Sequence, residues 1–246
     1  ASRGYGAEGV GAEIAIGDLL EVDCSGGLGR PALLDDEQVV SRPARIACTL
    51  PEVANQVRPG ERIFFDDGKL GGVVRDVFPG GFRVEIMHAR SGKAKLRGDR
   101  GINLPDTDLR LSAFTDKDRK DLDFVVAHAD LVGLSFARDP ADVETLQREL
   151  AQRGGAELGV ILKVETGRAF ERLPRLLLAL LRSPVAGVMV ARGDLGVELG
   201  FERLAEVQEE ILWLCEAAHL PVVWATQVLE NLAKKGLPSR AEVTDA

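Results

Sequence analysis

Three charged side chains stand at the ends of two apolar runs of the sequence. Lys163 and Glu165 lie at the end of the run 160–164, and Asp194 follows the run 187–190. If the first run is a β-strand, Lys163 and Glu165 point to the same face, because side chains alternate along a strand. Mg²⁺ is commonly held by one or two carboxylates, and an ammonium group can neutralise charge on a transferring phosphoryl group. These residues predict a divalent-metal and phosphate site; the alternative is a structural ion pair beside an Asp that caps the next helix.

The glycines around Asp194 indicate that its backbone approaches a ligand. Gly193 precedes Asp194, and Gly196 follows two residues later. Without a Cβ atom, the backbone N–H groups can come close to an anion, as they do at helix N-termini and in backbone nests. The segment therefore predicts anion binding, with a plain turn as the alternative interpretation.

From Gly101 onward the sequence alternates between apolar strand-like runs and amphipathic helical runs. The predicted strands are 131–136, 160–164, 187–190 and 221–225. The predicted helices are 140–153, 168–181, 201–218 and 228–235. Strands that are apolar on both faces and separated by helices indicate a parallel sheet covered on both sides.

Each predicted strand ends in a polar cluster. The clusters are 135–138, 163–165, 191–194 and 225–227. In a (β/α)₈ barrel all strand ends converge on the active-site face, whereas a doubly wound sheet converges only at a switch point. Four such ends in succession favour an α/β fold with a partial TIM barrel over 99–246.

Residues 1–98 predict a separate, small all-β domain. The runs 14–22 and 62–65 are strand-like, and Asp67-Gly68 lies in a predicted hairpin turn because Asp-Gly tolerates the positive φ of tight turns. Further turns at 79–81 and 91–92 give the spacing of a small antiparallel barrel or sandwich.

The composition excludes several classes of protein. The sequence contains no apolar run of 18 residues and no recognisable signal peptide, so we expect no membrane association. The net charge of −8 argues against a nucleic-acid surface, although a metal ion can still bring anionic substrates into one cleft. Cys24, Cys48 and Cys215 are far apart in sequence and lack metal-ligand spacing, which predicts reduced thiols in a cytoplasmic protein.

Six segments, in order along the chain, resemble the pyruvate kinase family. The run 189–198 (MVARGDLGVE) is similar to the family signature with its metal-binding Asp, and 162–165 (LKVE) resembles the strand with the catalytic Lys. The remaining matches are 65–68 (FDDG), 101–105 (GINLP), 221–230 (PVVWATQVLE) and 238–245 (PSRAEVTD). The resemblance implies a phosphoenolpyruvate/pyruvate-type barrel with a β lid domain in front of it.

The resemblance also implies a reaction and its residues. The family transfers a phosphoryl group from phosphoenolpyruvate to ADP, giving pyruvate and ATP in glycolysis, with Mg²⁺ or Mn²⁺ and usually K⁺. Glu165 and Asp194 would bind the divalent metal, and Lys163 would stabilise charge on the phosphoryl group and the enolate. The amides of Gly193 and Asp194, with the Thr226 hydroxyl, would hold the substrate carboxylate and assist protonation.

Five further residues are expected around this site. Asp67 and Arg100 would face the nucleotide from the lid domain. Ser135, Arg138 and Arg192 would support the residues that contact the ligands.

The chain departs from the family pattern in several places. The family's first three barrel strands, with a substrate arginine and the K⁺ ligands, its eighth strand and its C-terminal domain have no counterpart here. Leu199-Gly200 replaces a common Ile-Pro, which suggests a divergent branch. We therefore expect a piece of a longer, homo-oligomeric protein. The 246 residues alone should be inactive, because four of eight strands leave an open sheet edge.

Two other functions remain open at this point. A metal-dependent aldolase or lyase acting on pyruvate enolate would use a similar barrel and a Glu/Asp metal pair, but it needs no nucleotide lid. A non-catalytic module that senses phosphoenolpyruvate or pyruvate would not need Lys163, Glu165, Asp194 and Thr226 together. Both observations favour the kinase.

Overall fold

The computed structural model describes residues 12–37, 40–89, 92–96, 100–110, 114–225 and 228–245. The chain forms two compact units, Ala1–Leu111 and Ser112–Ala246. The sequence placed the boundary at 98/99, whereas a short strand at Ile102–Asn103 pairs with the first unit and keeps the following residues with it.

The regular secondary structure described in the first unit is mainly β-strand. They are β1 Ala12–Ala15, β2 Leu19–Asp23, β3 Leu33–Leu34, β4 Val40–Arg42, β5 Ala44–Ala47, β6 Arg62–Phe65, β7 Leu70–Phe78, β8 Gly81–Ala89, β9 Lys93–Leu96 and β10 Ile102–Asn103, with a 3-10 helix at Pro51–Asn55. The main sheet has six strands in the order β10-β6-β7-β8-β2-β5, and β1-β9 and β3-β4 form two small antiparallel pairs. Within the main sheet only β2 and β5 pair in parallel.

Tight turns connect the central strands of this unit. The predicted hairpin turn is confirmed: Asp66, Asp67 and Gly68 all have positive φ, and Phe65 pairs with Leu70 across the turn. A second predicted turn, at Gly80, joins β7 to β8. The third predicted turn includes Ser91, which lies outside the described residues.

The predicted strand 14–22 is wrong, because a turn divides it into β1 and β2. Gly17 has a φ of 91°, and the Asp18 carboxylate accepts a hydrogen bond from the Ala15 amide at 2.7 Å. An aspartate that bonds to the backbone three residues earlier offers the chain an alternative to sheet pairing, which stops the strand.

The second unit alternates strands and helices along the chain. Its elements are α1 Asp116–His128, β11 Leu131–Leu134, α2 Pro140–Gln152, β12 Gly159–Val164, α3 Gly167–Glu171, α4 Leu173–Leu180, β13 Ala186–Ala191, α5 Arg192–Leu199, a 3-10 helix Phe201–Arg203, α6 Leu204–Ala217, β14 Val222–Ala225, α7 Glu230–Lys235 and α8 Arg240–Asp245. The four strands pair in parallel in the order β11-β12-β13-β14. The predicted parallel sheet is thereby confirmed, and its carboxyl ends all lie at one edge.

Local side-chain chemistry sets several helix boundaries in this unit. Asp139 forms a capping box with Asp142, and Pro140 occupies the first turn of α2, where its missing N–H costs nothing. The predicted helix 168–181 is divided into α3 and α4 at Arg172, because Pro174 stands in the first turn of α4 and favours a new start there.

Apolar side chains fill the space between the parallel sheet and its helices. Fully buried members from the strands and helices include Leu146, Leu162, Leu173, Leu176, Val188, Val190, Leu195, Val207 and Ile211. This core holds the strands in place and thereby the residues at their ends. None of the helices in the described part of the chain is long and apolar enough to cross a membrane.

Close packing of β7 against β8 requires a glycine at position 72. A Cβ atom there would lie 2.4 Å from the Glu85 carbonyl oxygen and 2.6 Å from Val84 Cγ1. We expect Gly72→Ala to reduce the free energy of unfolding by about 1–3 kcal/mol, because a backbone carbonyl must shift. Denaturant unfolding of the intact protein measures this loss. Gly133→Ala is the control, since its Cβ would lie 3.7 Å from Lys163 Cδ, an ordinary contact; equal stability of both variants would contradict the expectation.

Candidate active site

The candidate site residues of the second unit follow the ends of the parallel strands. Lys163 pairs with Met189 and Ala191 with Ala225 in the sheet register. Glu165 is the first residue after β12, and α5 begins directly after β13. The register therefore brings the end of β12 and the start of α5 to the same edge of the sheet.

Lys163 and Glu165 form a buried ion pair. The Lys163 Nζ atom lies 2.6 Å from Glu165 Oε1, and the Glu165 side chain is only 2% exposed. An ionised carboxylate at this depth is costly unless it is paired and hydrogen-bonded, so Lys163 provides its counter-charge. The Lys163 side chain is 26% exposed, which leaves part of it open to solvent or a ligand.

The end of β11 supplies two further contacts to this pair. The Phe136 amide donates a hydrogen bond to Glu165 Oε2 at 2.6 Å, and Lys163 Nζ donates one to Ser135 Oγ at 2.9 Å. The structure thus places Ser135 beside Lys163, while its functional role stays a prediction.

Phe136 makes its contact in a left-handed backbone conformation. Its φ is 53°, which is rare for an aromatic residue and costs on the order of 1–3 kcal/mol. This conformation ends β11 at Leu134, so the prediction that the strand continues to Phe136 is wrong. The amide contact carries no sequence signal, because any residue except proline has a backbone N–H.

Gly193 and Asp194 lie in the first turn of α5. Gly193 is exposed and Asp194 is partly buried. Gly196 has a different explanation: a Cβ atom there would lie 2.6 Å from Phe201 Cε1. The prediction that both glycines serve anion approach is therefore corrected, because packing against Phe201 accounts for Gly196.

Arg192 extends from the start of α5 to the end of β14. Its side chain is buried, its Nε donates to the Ala225 carbonyl oxygen at 3.0 Å, and its guanidinium carbon lies 5.2 Å from the centre of the Trp224 ring. Thr226 follows Ala225 in the chain but lies outside the described residues.

Arg138 belongs to the start of α2. Its amide donates to Asp142 Oδ2 at 2.8 Å, beside the capping box of that helix. Asp139 forms ion pairs with Arg168 and Arg172 at the same place. The Arg138 amide therefore belongs to this helix start, while the role expected of its side chain stays a prediction.

Asp67 and Arg100 belong to the first unit and lie near one loop. Asp67 is exposed in the β6–β7 turn, and Arg100 Nη1 lies 3.2 Å from Asp66 Oδ1 in the same turn. The Asp66 amide also donates to the Gly101 carbonyl oxygen at 3.1 Å. The structure therefore gathers these two residues around the tip of one hairpin.

The donor set fits a hard divalent cation that keeps several non-protein ligands. Among the described residues, no three His, Cys, Asp or Glu side chains form a ready metal cluster. Glu165 bonds to Lys163 and Phe136 through different oxygens, and each carboxylate oxygen has a second lone pair. Glu165 therefore has oxygen atoms suited to Mg²⁺, which is commonly held by one or two carboxylates, with water and substrate oxygens as its other ligands.

Sequence comparisons identify the family of the chain. A family model described as pyruvate kinase, barrel domain, matches residues 28–246. A pyruvate kinase of Thermotoga maritima is 34% identical over 218 residues, which cover 88% of this chain and 45% of that protein. Pyruvate kinase 1 of Trypanosoma brucei brucei is 32% identical over 253 aligned positions, covering 95% of this chain and 49% of that protein.

A pyruvate kinase of Corynebacterium glutamicum is also similar, with 34% identity over 202 residues, or 82% of this chain and 40% of that protein. The chain spans less than half the length of these three relatives. The family match covers most of the chain and confirms the resemblance found in the sequence. This chain therefore belongs to the pyruvate kinase family.

Proposed function

We propose that the intact protein containing this chain transfers a phosphoryl group from phosphoenolpyruvate to ADP and forms pyruvate and ATP. The buried Lys163–Glu165 pair at the end of β12 is the observation that carries this proposal. The pair provides a cation and a carboxylate at the edge of the sheet where α5 begins, and Asp194 lies in the first turn of that helix. A purely structural ion pair does not require a solvent-accessible ammonium group. The Lys163 side chain is partly exposed, so its ammonium group can also meet a ligand.

In the proposed mechanism Lys163 stabilises the negative charge that moves during transfer. Its ammonium group has three N–H donors, of which two are used by Glu165 and Ser135. The third can point to the phosphoryl group and then to the enolate oxygen. The bond from an ADP oxygen to phosphorus forms as the phosphorus–enolate bond breaks, and the enolate carbon then takes a proton to give pyruvate.

Glu165 and Asp194 would hold Mg²⁺ or Mn²⁺, which supplies positive charge to the phosphoryl oxygens when it is bound. The Phe136 amide and Lys163 keep the Glu165 carboxylate in one orientation, so little rearrangement is needed on binding. The amides of Gly193 and Asp194 and the Thr226 hydroxyl would orient the substrate carboxylate. Most of the rate enhancement would then come from positioning and electrostatics.

The proposal extends to the architecture of the whole protein. The sequential order of the four parallel strands supports a segment of a (β/α)₈ barrel, because consecutive strands are neighbours in that fold. The first unit would serve as the nucleotide lid, with Asp67 and Arg100 as its ligand-facing residues. K⁺ would be bound by residues outside this chain, and the intact protein would be a homo-oligomer.

We expect the intact protein to form pyruvate from phosphoenolpyruvate only when both ADP and Mg²⁺ or Mn²⁺ are present. ADP is the phosphoryl acceptor, and the cation offsets the charge of the two anionic substrates. A coupled assay that follows pyruvate, with and without a chelator, measures this dependence. Formation of pyruvate enolate products without ADP would favour the aldolase, and calorimetric binding of phosphoenolpyruvate without turnover would favour the sensor.

We expect Lys163→Met to lower kcat by about 10²–10³-fold, because the group that stabilises developing charge is lost. Mn²⁺ binding, measured by calorimetry, should survive in this variant. Lys117→Met is the matched control, since Lys117 pairs with Asp121 on the exposed face of α1.

Thermal unfolding checks that Lys163→Met remains folded, because it leaves the buried Glu165 without its counter-charge. Lys163→Arg keeps that charge and serves as the second variant if the first fails to fold. Full turnover in a folded Lys163→Met variant would remove the role assigned to Lys163, whereas Lys163→Arg should keep part of the activity because it keeps the charge.

A further inference from the structure

Arg192 is placed where a cation is unfavourable. It lies in the first turn of α5, at the positive end of the helix dipole, and its side chain is only 7% exposed. Both features cost free energy, since buried charges require compensating partners. Helix stability therefore gives no reason for an arginine at this position.

The contacts of Arg192 connect two elements of the sheet edge. The Nε atom bonds to the carbonyl oxygen of Ala225, the last residue of β14, and the guanidinium lies over the Trp224 ring. The helix start and the strand end are held together by one planar group that bonds and stacks at the same time. Arginine is suited to this because its guanidinium is both a rigid donor and a stacking surface.

The contacts of Arg192 affect the position of Asp194, which the proposed function assigns to the metal. Asp194 is two residues after Arg192 in the same helical turn. The short helix α5 continues only to Leu199, so its start depends on contacts such as this one for its position. A carboxylate that binds a metal loses affinity when the groups that orient it are removed.

We propose that Arg192 is a positioning residue that fixes the start of α5, and with it Asp194, against the end of β14. The inference rests on the proposed function, in which Asp194 binds the divalent cation. Arg192 contacts neither the cation nor the substrate in this assignment; it acts through the backbone of the helical turn.

Arg192→Met in the intact protein tests the proposal. We expect Mn²⁺ affinity, measured by calorimetry without substrate, and kcat each to fall by about 10–100-fold. The KM for phosphoenolpyruvate should rise as well, because the Gly193 and Asp194 amides assigned to the substrate carboxylate lie in the same helical turn. Arg203→Met is the matched control and should be neutral, since Arg203 pairs with Glu206 on the exposed face of α6.

The outcomes separate this inference from the proposed function. Wild-type Mn²⁺ affinity and kcat in a folded Arg192→Met variant would overturn the role of Arg192 while leaving the reaction intact. Absence of turnover in the wild-type protein would overturn the proposed function, but the Mn²⁺ affinities would still compare the variants. If Arg192→Met does not fold, Arg192→Lys keeps a charge near the Trp224 ring and gives the same comparison with a smaller expected loss.

A separate observation concerns Cys24 and Cys48, which the fold brings together in the first unit. They directly follow β2 and β5, whose parallel register pairs Asp23 with Ala47. The Cys48 amide donates to the Asp23 carbonyl oxygen at 2.7 Å, so the pairing continues to the cysteines. Neighbouring strands lie about 4.7–4.9 Å apart, which is within the Cα separation that a disulfide spans.

The two thiols also contact each other. A hydrogen bond with Cys48, together with burial, raises the pKa of Cys24 well above its usual range. Both residues are buried in the same apolar core. The pair is therefore expected to react slowly, during local opening of the strand ends.

We infer that Cys24 and Cys48 form a dithiol site that a disulfide oxidant such as glutathione disulfide closes into an intramolecular disulfide. One cysteine thiolate attacks the glutathione disulfide and releases one glutathione thiol. The second cysteine then attacks the mixed disulfide and releases the other, so two protein thiols are oxidised as one disulfide is reduced to two thiols.

Incubation of the intact protein with glutathione disulfide, followed by non-reducing peptide mapping, tests this inference. We expect one peptide pair joined through Cys24 and Cys48, absent from the Cys48→Ser variant. Cys215 is the internal control, because it is buried in the other unit and burial raises the pKa of its thiol to about 11. Separate glutathione adducts on Cys24 and Cys48, or no joined peptide after oxidation under partly unfolding conditions, would overturn the inference.

Discussion

The arrangement of the second unit depends on one constraint, the burial of the Glu165 carboxylate. A carboxylate that is almost fully removed from water must keep both a counter-charge and hydrogen bonds. Lys163 supplies the charge from the same strand face, and the Phe136 amide supplies a hydrogen bond from the neighbouring strand. The unusual backbone of Phe136 is a local cost that this carboxylate offsets. The result is an acidic group in one fixed orientation at the edge of the sheet.

The parallel sheet explains why these groups meet at all. In a sequentially ordered parallel sheet every strand delivers its carboxyl end to the same edge, so residues tens of positions apart become neighbours. Ser135 contacts Lys163 from just after β11, and Arg192 at the start of α5 contacts Ala225 at the end of β14. The same principle operates in the first unit, where parallel pairing of β2 and β5 joins two distant cysteines.

The places where sequence reasoning failed share a physical cause. Helix α1 was not predicted; Leu122 is its one buried side chain among the described residues, and a capping box of Thr115 and Asp118 sets its start. The start of α5 was predicted as an anion-binding segment with two glycines for ligand approach, and packing against Phe201 accounts for one of them, Gly196. The strand 14–22 was predicted as one run, and a hydrogen bond that the Asp18 carboxylate accepts from the Ala15 amide interrupts it. In each case a tertiary or side-chain contact outweighed local propensity.

The sequence by itself determined the α/β alternation, the β6–β7 hairpin, the family, and the identity of Lys163, Glu165 and Asp194 as the residues to examine. These follow from periodicity, turn chemistry and motif spacing, which are local properties of a chain. Only the tertiary structure decided that Glu165 is buried, that a Phe136 amide holds it, that Arg192 joins α5 to β14, and that Cys24 meets Cys48. Such contacts link positions that are distant in sequence, and they depend on backbone atoms and on strand register. Backbone atoms and strand register leave no pattern in the residue types of the sequence.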